Sequence, residues 1–296
     1  MTLSGTRCAR LSASALGLTV ALAACGTAGQ RPPGGSAAVP ATRHAPVTLP
    51  DAHTFVLPDP GGGDGYRIYV ALPRGYDGGS RRYPVLYLLD GDSGFALATQ
   101  AYRLLRVDEA MPDLLIVGIG YEGAGGERRA RRILDLTPTR TASDSASATG
   151  GSAAFLSFVA EALVPTIDSL YRTDPGDRAI MGHSLGGLFA LYALFERPDV
   201  FRRYIASSPS LWWDEGVVFR YESLFARGRT SLPKSVFMSV GAEEAADMRD
   251  PFRPFADSVR ARRYPDLAFT AVVLPGETHL TAFATSFQRG LRTVYP

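Results

Sequence analysis

Residues 178–195 read RAIMGHSLGGLFALYALF, and the fold is decided there. Residues 179–181 form a short apolar run of the kind that ends a strand, residues 188–194 have the composition of a buried helix, and Gly182-His183-Ser184-Leu185-Gly186 stands between them. A serine in a sharp turn from strand to helix has its hydroxyl pushed out above the sheet. Only residues without bulk fit two places before and two places after it, because strand and helix backbones touch there. Gly182 and Gly186 fill those places, and Gly187 lets the helix start lie close. Three glycines carry little weight in a chain that holds 31, but the flanking strand and helix patterns make the stretch a nucleophile elbow.

Working outward, residues 83–89 (YPVLYLL) are a nearly continuous apolar run, as in a strand covered on both faces, and lead directly into Asp90-Gly91-Asp92-Ser93. Residues 53–57 and 66–72 alternate like strands and are separated by a turn-rich segment at 58–65. Further strands are expected at 114–119, 178–181, 204–206, 235–240 and 267–274. Helices are expected at 96–108, 153–170, 217–227, 252–263 and 280–291. Strands alternating with helical segments predict an α/β-hydrolase fold: a mostly parallel, doubly wound sheet with helices on both faces. Residues 139–151, rich in Ser, Thr, Ala and Gly, are expected to form a mobile loop.

Residues 1–24 carry Arg7 and Arg10, an apolar stretch at 11–21 and small residues just before Cys25. The apolar stretch is too short for a permanent span, so the segment reads as a lipoprotein signal peptide whose cleavage leaves Cys25 as the lipidated first residue. Residues 25–50 read as a flexible tether and 51–296 as the catalytic domain, giving an exported protein anchored to a membrane on the cell surface or in the periplasm. The only other cysteine, Cys8, lies in the removed segment, so stability has to come from a core, which 46% hydrophobic content can supply. Removal also leaves 29 basic against 29 acidic residues, and a net charge near zero argues against a nucleic-acid partner.

A serine hydroxyl needs a base before it is a useful nucleophile. Of four histidines, His44 falls in the tether, His53 opens the first strand, and His183 is expected to point away from its neighbour Ser184. His279 remains, in the loop after the last strand, where this fold presents its base. The third group should be a carboxylate between serine and histidine in chain order. The strand at 235–240 ends in Gly241-Ala242-Glu243-Glu244, which leaves two candidates. Leu185, the residue after the nucleophile, is expected to donate one backbone NH to the oxyanion. No metal-ligand spacing is present, and no cofactor is implied.

Five features together resemble the family described as Putative esterase, which includes esterase D, enterobactin and salmochelin esterases, feruloyl esterases and mycolyltransferases. They are GHSLGGLFAL at the elbow, SPSLWW at 208–213, LLDGD at 88–92, the RxxDLTP pattern at 132–138 and GETH at 276–279. The resemblance spans residues 53–291 and is strongest to the siderophore esterases. It implies Glu244 as the acid, since that branch commonly has Glu three residues after the strand-end glycine, although some members work with a weakened or absent third residue. It implies the backbone of Asp92 as the second oxyanion donor, with Gly91 as the alternative. It also implies that a basic residue of the Arg128, Arg129, Arg131, Arg132 cluster, here Arg132, meets an anionic ligand. Trp212 and Trp213 are candidates for an aromatic wall beside the acyl pocket.

The expected function is hydrolysis of a small-molecule carboxylic ester through an acyl-enzyme on Ser184, with a siderophore-type ester as one substrate class. Acyl transfer to another acceptor is the neighbouring alternative. A non-catalytic surface lipoprotein that keeps the fold as a binding module is the distant one, disfavoured because it has no need of Ser184, His279 and a carboxylate together. Cys25→Ser is expected to abolish incorporation of a fatty-acid probe in growing cells; equal labelling of both proteins would remove the lipoprotein reading.

Overall fold

A computed structural model describes residues 46–108, 111–141 and 148–296. The expected signal peptide at 1–24, Cys25, the tether up to residue 45 and the middle of the expected mobile loop, 142–147, lie outside the described residues.

The apolar runs become β1 (Ala52–Leu57), β2 (Tyr66–Ala71), β3 (Tyr83–Leu89), β4 (Leu115–Tyr121), β5 (Thr173–His183), β6 (Arg203–Ser207), β7 (Ser235–Gly241) and β8 (Ala268–Leu274). They form one sheet in the order β1-β2-β4-β3-β5-β6-β7-β8 within the compact unit Thr48–Pro296. β1 pairs antiparallel with β2 across the short connection at 58–65, and β2 also pairs antiparallel with β4. From β4 to β8 every pairing is parallel, each crossover carrying helix. The helices are α1 (Gly91–Asp108), α2 (Gly125–Leu136), α3 (Ser152–Phe158), α4 (Val164–Leu170), α5 (Leu185–Glu196), α6 (Trp213–Gly228), α7 (Ala246–Arg249), α8 (Phe252–Ala261) and α9 (Ala282–Val294).

Strand pleating divides the core. Along β3, Val85, Tyr87 and Leu89 enter one cluster with Phe155, Phe189 and Phe255, while Leu86 and Leu88 enter another with Phe95 and Tyr102 of α1 and Phe287 and Leu291 of α9. The elbow helix α5 lies in the first cluster and is buried from Gly186 to Phe195, so it is apolar all round rather than on one stripe. Residues 152–170 are long and apolar enough to cross a bilayer, but Phe155, Leu156, Val159, Leu163 and Ile167 are sunk in the same cluster, which accounts for that composition. A π turn at Val159–Leu163 joins α3 to α4.

Three local departures from the expected elements bear on the site. The helix expected from residue 96 begins at Gly91, which brings Asp92 into its first turn. The helix α2, which carries the arginine cluster, is not among the expected helices. The helix expected from 217 extends back to Trp213, but Asp214, Glu215 and Gly216 between are all left-handed, with φ of 45°, 54° and 79°. Left-handed backbone is costly for the first two of these.

α9 closes the second core face, so its anchor should matter for the whole fold. Phe287→Ala, at a fully buried position, is expected to lower unfolding stability by about 3–5 kcal/mol in urea denaturation.

Candidate active site

Ser184 sits between β5 and α5 with φ 60° and ψ −120°. That conformation is held from both sides: its NH donates to Ser207 O (3.0 Å), and its carbonyl accepts from Leu188 (3.0 Å) and Ser210 (3.1 Å). The glycines around it are needed for approach rather than for their own dihedrals. A Cβ on Gly182 would stand 2.0 Å from the Gly186 carbonyl oxygen, and one on Gly187 would meet Ser207 O at 2.8 Å. The Ser184 hydroxyl lies 3.4 Å from that of Ser210.

His279 and Glu244 meet at the C-terminal edge of the sheet, His279 Nδ1 lying 2.8 Å from Glu244 Oε2. The other carboxylate oxygen accepts from Ser208 Oγ and from the Gly241 NH, each at 2.6 Å. Glu243 is exposed, so the structure brings Glu244 rather than its neighbour to the histidine. The two loops are laced by the Glu243 NH, which donates to Glu277 O (3.0 Å), and a Cβ on Gly241 would come within 2.2 Å of that same oxygen. Burial alone would raise the Glu244 pKa. The bonds from His279, Ser208 and the Gly241 NH outweigh it and hold the carboxyl below its ordinary value.

His183 does not turn away from the site. Its ring packs 4.6 Å from that of His279, edge-on to Phe283, with Nδ1 2.9 Å from Ser207 Oγ. Burial, then the neighbouring His279, pushes its pKa down to about 4, so it is a neutral platform for the His279 ring at ordinary pH. Ser208 and Ser210 fall in the SPSLWW stretch, but no role was read for them or for Ser207 from the sequence.

A cleft of about 580 Å³ opens over Ser184, lined by Asp92, Tyr121, Arg128, Arg129, Leu185 and Trp212 among others. Leu185 and Asp92 lie in the first turns of α5 and α1, where helix NH groups have no intrahelical acceptor. The Asp92 carboxylate is occupied elsewhere, accepting from the Tyr121 NH (2.8 Å) and Tyr69 Oη (2.9 Å). Trp212 is 43% exposed and donates from Nε1 to Met248 Sδ, whereas Trp213 is buried and bonds Thr139.

The arginine cluster divides, and Arg132, on the cleft wall, is bound to Asp90. Its Nε and Nη2 both donate to Asp90, at 2.5 and 2.7 Å, so its charge is already matched. Arg131 is likewise committed, to Asp59 and the Tyr66 ring. Arg128 and Arg129 are exposed on the cleft wall and form no ion pair within 4 Å among the described residues. Among those residues, no three His, Cys, Asp or Glu side chains are grouped to hold a metal ion.

A family model described as Putative esterase matches residues 62–280. The chain belongs to that family. It is 36% identical over 178 residues to the siderophore triacetylfusarinine C esterase of Aspergillus fumigatus, covering 58% of this chain and 60% of that enzyme. The match therefore spans less than two thirds of that relative. The ferri-bacillibactin esterase BesA of Bacillus subtilis is 31% identical over 229 residues, covering 71% of this chain and 78% of its own length. The crystal structure of the BES protein from Bacillus cereus superposes with a TM-score of 0.78 at 28% identity, over 86% of this chain and 98% of that one. The enzyme class is that of a serine esterase, and the fold is the α/β-hydrolase fold.

The suppressed His183 pKa has a consequence for stability. The unfolded chain takes up a proton on this ring near pH 6.5 and the folded chain only near 4. Stability is therefore lost as pH falls through that window, by up to about 3 kcal/mol. Glu244, with its lowered pKa, acts in the same direction at lower pH. Urea denaturation at pH 7 and pH 4.5 is expected to show a smaller acid-induced loss for His183→Gln than for the parent.

Proposed function

We propose that this esterase cleaves carboxylic esters by a Ser184-His279-Glu244 triad and an acyl-enzyme, and that its substrates are siderophore-type esters. The observation that carries the mechanism is the His279–Glu244 hydrogen bond beside a strained, glycine-cleared Ser184. With Nδ1 donating to the carboxylate, the neutral imidazole keeps Nε2 as an acceptor. Ser184 Oγ attacks the ester carbonyl and gives its proton to Nε2. The oxyanion forms against the Leu185 and Asp92 NH groups, and the imidazolium then protonates the departing alkoxide. Water repeats the sequence on the acyl-enzyme and releases the acid.

Two observations support the substrate class. Of the two relatives named above, one is described as a siderophore esterase and the other as a ferri-bacillibactin esterase. The cleft is lined by exposed Arg128 and Arg129 and by the indole of Trp212, a combination suited to anionic, planar groups on a bulky ester. We also propose that lipid on Cys25 holds the domain at a membrane.

Ser184→Ala is expected to leave a folded protein that no longer reacts with a fluorophosphonate probe, and retained labelling would move the nucleophile elsewhere. Glu244→Gln is expected to lower kcat by roughly 10- to 10⁴-fold on p-nitrophenyl acetate, with Glu243→Gln near neutral. Hydrolysis of ferric and iron-free catecholate trilactones, followed by chromatography of the released acids, tests the substrate class directly.

A further inference from the structure

We propose that Arg132 is a positioning residue for ester cleavage: its fork on Asp90 fixes the loop that presents the Asp92 NH, and cancels a negative charge beside the forming oxyanion. The role rests on the assignment of Ser184 and Asp92 made above.

The argument begins with Asp90. It is a non-glycine residue at φ 57°, a conformation that persists only where surroundings enforce it. Its carbonyl accepts from the Ser93 NH (3.1 Å) and the Gly94 NH (2.9 Å), so Asp90 sets where α1 begins and which way its first NH groups point. Gly91, next to it, has no room to shift, since a Cβ there would meet Gly118 C and Ile119 N at 2.9 Å. The Asp92 carboxylate ties the same turn to Tyr121 and Tyr69.

The Asp90 side chain points to the elbow. A Cβ on Gly186, two residues after Ser184, would be 3.4 Å from Asp90 Oδ2. Asp90 lines the same cleft as Ser184 and Leu185, and a bare carboxylate there opposes the negative charge that develops on the substrate oxygen. Arg132 reaches across from α2 and holds both carboxylate oxygens with two parallel bonds, the two side chains being 28% and 17% exposed. This bidentate geometry is one that lysine cannot reproduce. Arg132 thus serves the reaction through Asp90, while the unpaired Arg128 and Arg129 remain for the ligand.

The full chain is compared as Arg132→Met, Arg132→Lys, Asp90→Asn and the double variant Arg132→Met/Asp90→Asn. The readouts are kcat and KM on p-nitrophenyl acetate and affinity for an aryl trifluoromethyl ketone, which forms a hemiketal oxyanion on the serine. Arg132→Met is expected to lower kcat by about 10- to 100-fold with KM within about threefold, and to weaken the ketone by the same factor as kcat. Arg132→Lys, which keeps the charge and loses the fork, should fall between. The double variant should recover several-fold over Arg132→Met, because the uncompensated carboxylate is gone, and Asp90→Asn alone should weaken the ketone least.

A folded Arg132→Met with kcat and ketone affinity within twofold of the parent would overturn the proposal, as would a double variant no better than the single one. If Arg132→Met does not fold, Arg132→Lys decides: a parallel loss in kcat and ketone affinity at constant KM supports the role, and no loss overturns it. Ser184→Ala is run alongside. If it remains active, the nucleophile assignment and the positioning role fall together; if it is inactive while Arg132→Met is unaffected, only the positioning role falls.

Discussion

A carboxylate buried at the rim of a sheet has to find donors or lose its charge, and Glu244 finds three from three different loops. Ser208 reaches it from the end of β6, the Gly241 NH from the end of β7, and His279 from the loop after β8. Each donor lies where a parallel strand stops, so the carboxylate gathers successive strand ends into one rim. The close passage of Gly241 under Glu277 serves the same junction. Removing the whole carboxylate would leave Ser208 and the Gly241 NH without an acceptor as well as freeing the imidazole, so stability and site geometry are coupled there.

The elbow shows a second coupling, between crowding and conformation. Gly182 and Gly187 let β5, α5 and the chain at 207–209 approach to distances no side chain permits, and this contact fixes Ser184 in its unusual backbone state. The next helix turn lies on Asp90, which is itself held from α2. Residues of β3, β5, α2 and α5 thus share one small volume, and none of them can be moved without its neighbours.

The parts of this arrangement that are set by local chain chemistry were legible in the sequence. The strands followed from apolar runs with sharp ends, and the elbow from three glycines and a serine between strand and helix. His279 followed from a shortage of alternatives. What was not legible depends on which way a side chain faces across the fold. Glu243 and Glu244 are the same residue type at adjacent positions, and only the turn that follows β7, which leaves one exposed and buries the other, distinguishes them. Four arginines in five positions announce positive charge without saying that Arg131 and Arg132 are already matched by Asp59 and Asp90, far away in the chain. α2 went unread for a related reason: its apolar contacts, Ile133 and Leu136 among them, are too few to outweigh the glycines and charges around them. His183 was dismissed by its neighbour, yet its ring is the surface on which the His279 ring rests.

The order in which the domain is made adds a consequence. The His279 loop and α9 are its last elements to be synthesised. α9 brings Phe287, Leu291 and Val294 onto the face formed by Leu86, Leu88 and Met181, links Ser286 to Ser239 of β7, and presses Gly290 against Ile205 of β6. Until that helix arrives, the part of this face over β6 and β7, which α1 does not reach, stays uncovered and the serine has no base. A nascent or prematurely terminated chain can therefore fold its other face around α5 but remains inert and sticky, a natural substrate for chaperones or proteases. Closure of this core face and arrival of the base coincide, because one stretch of chain supplies both.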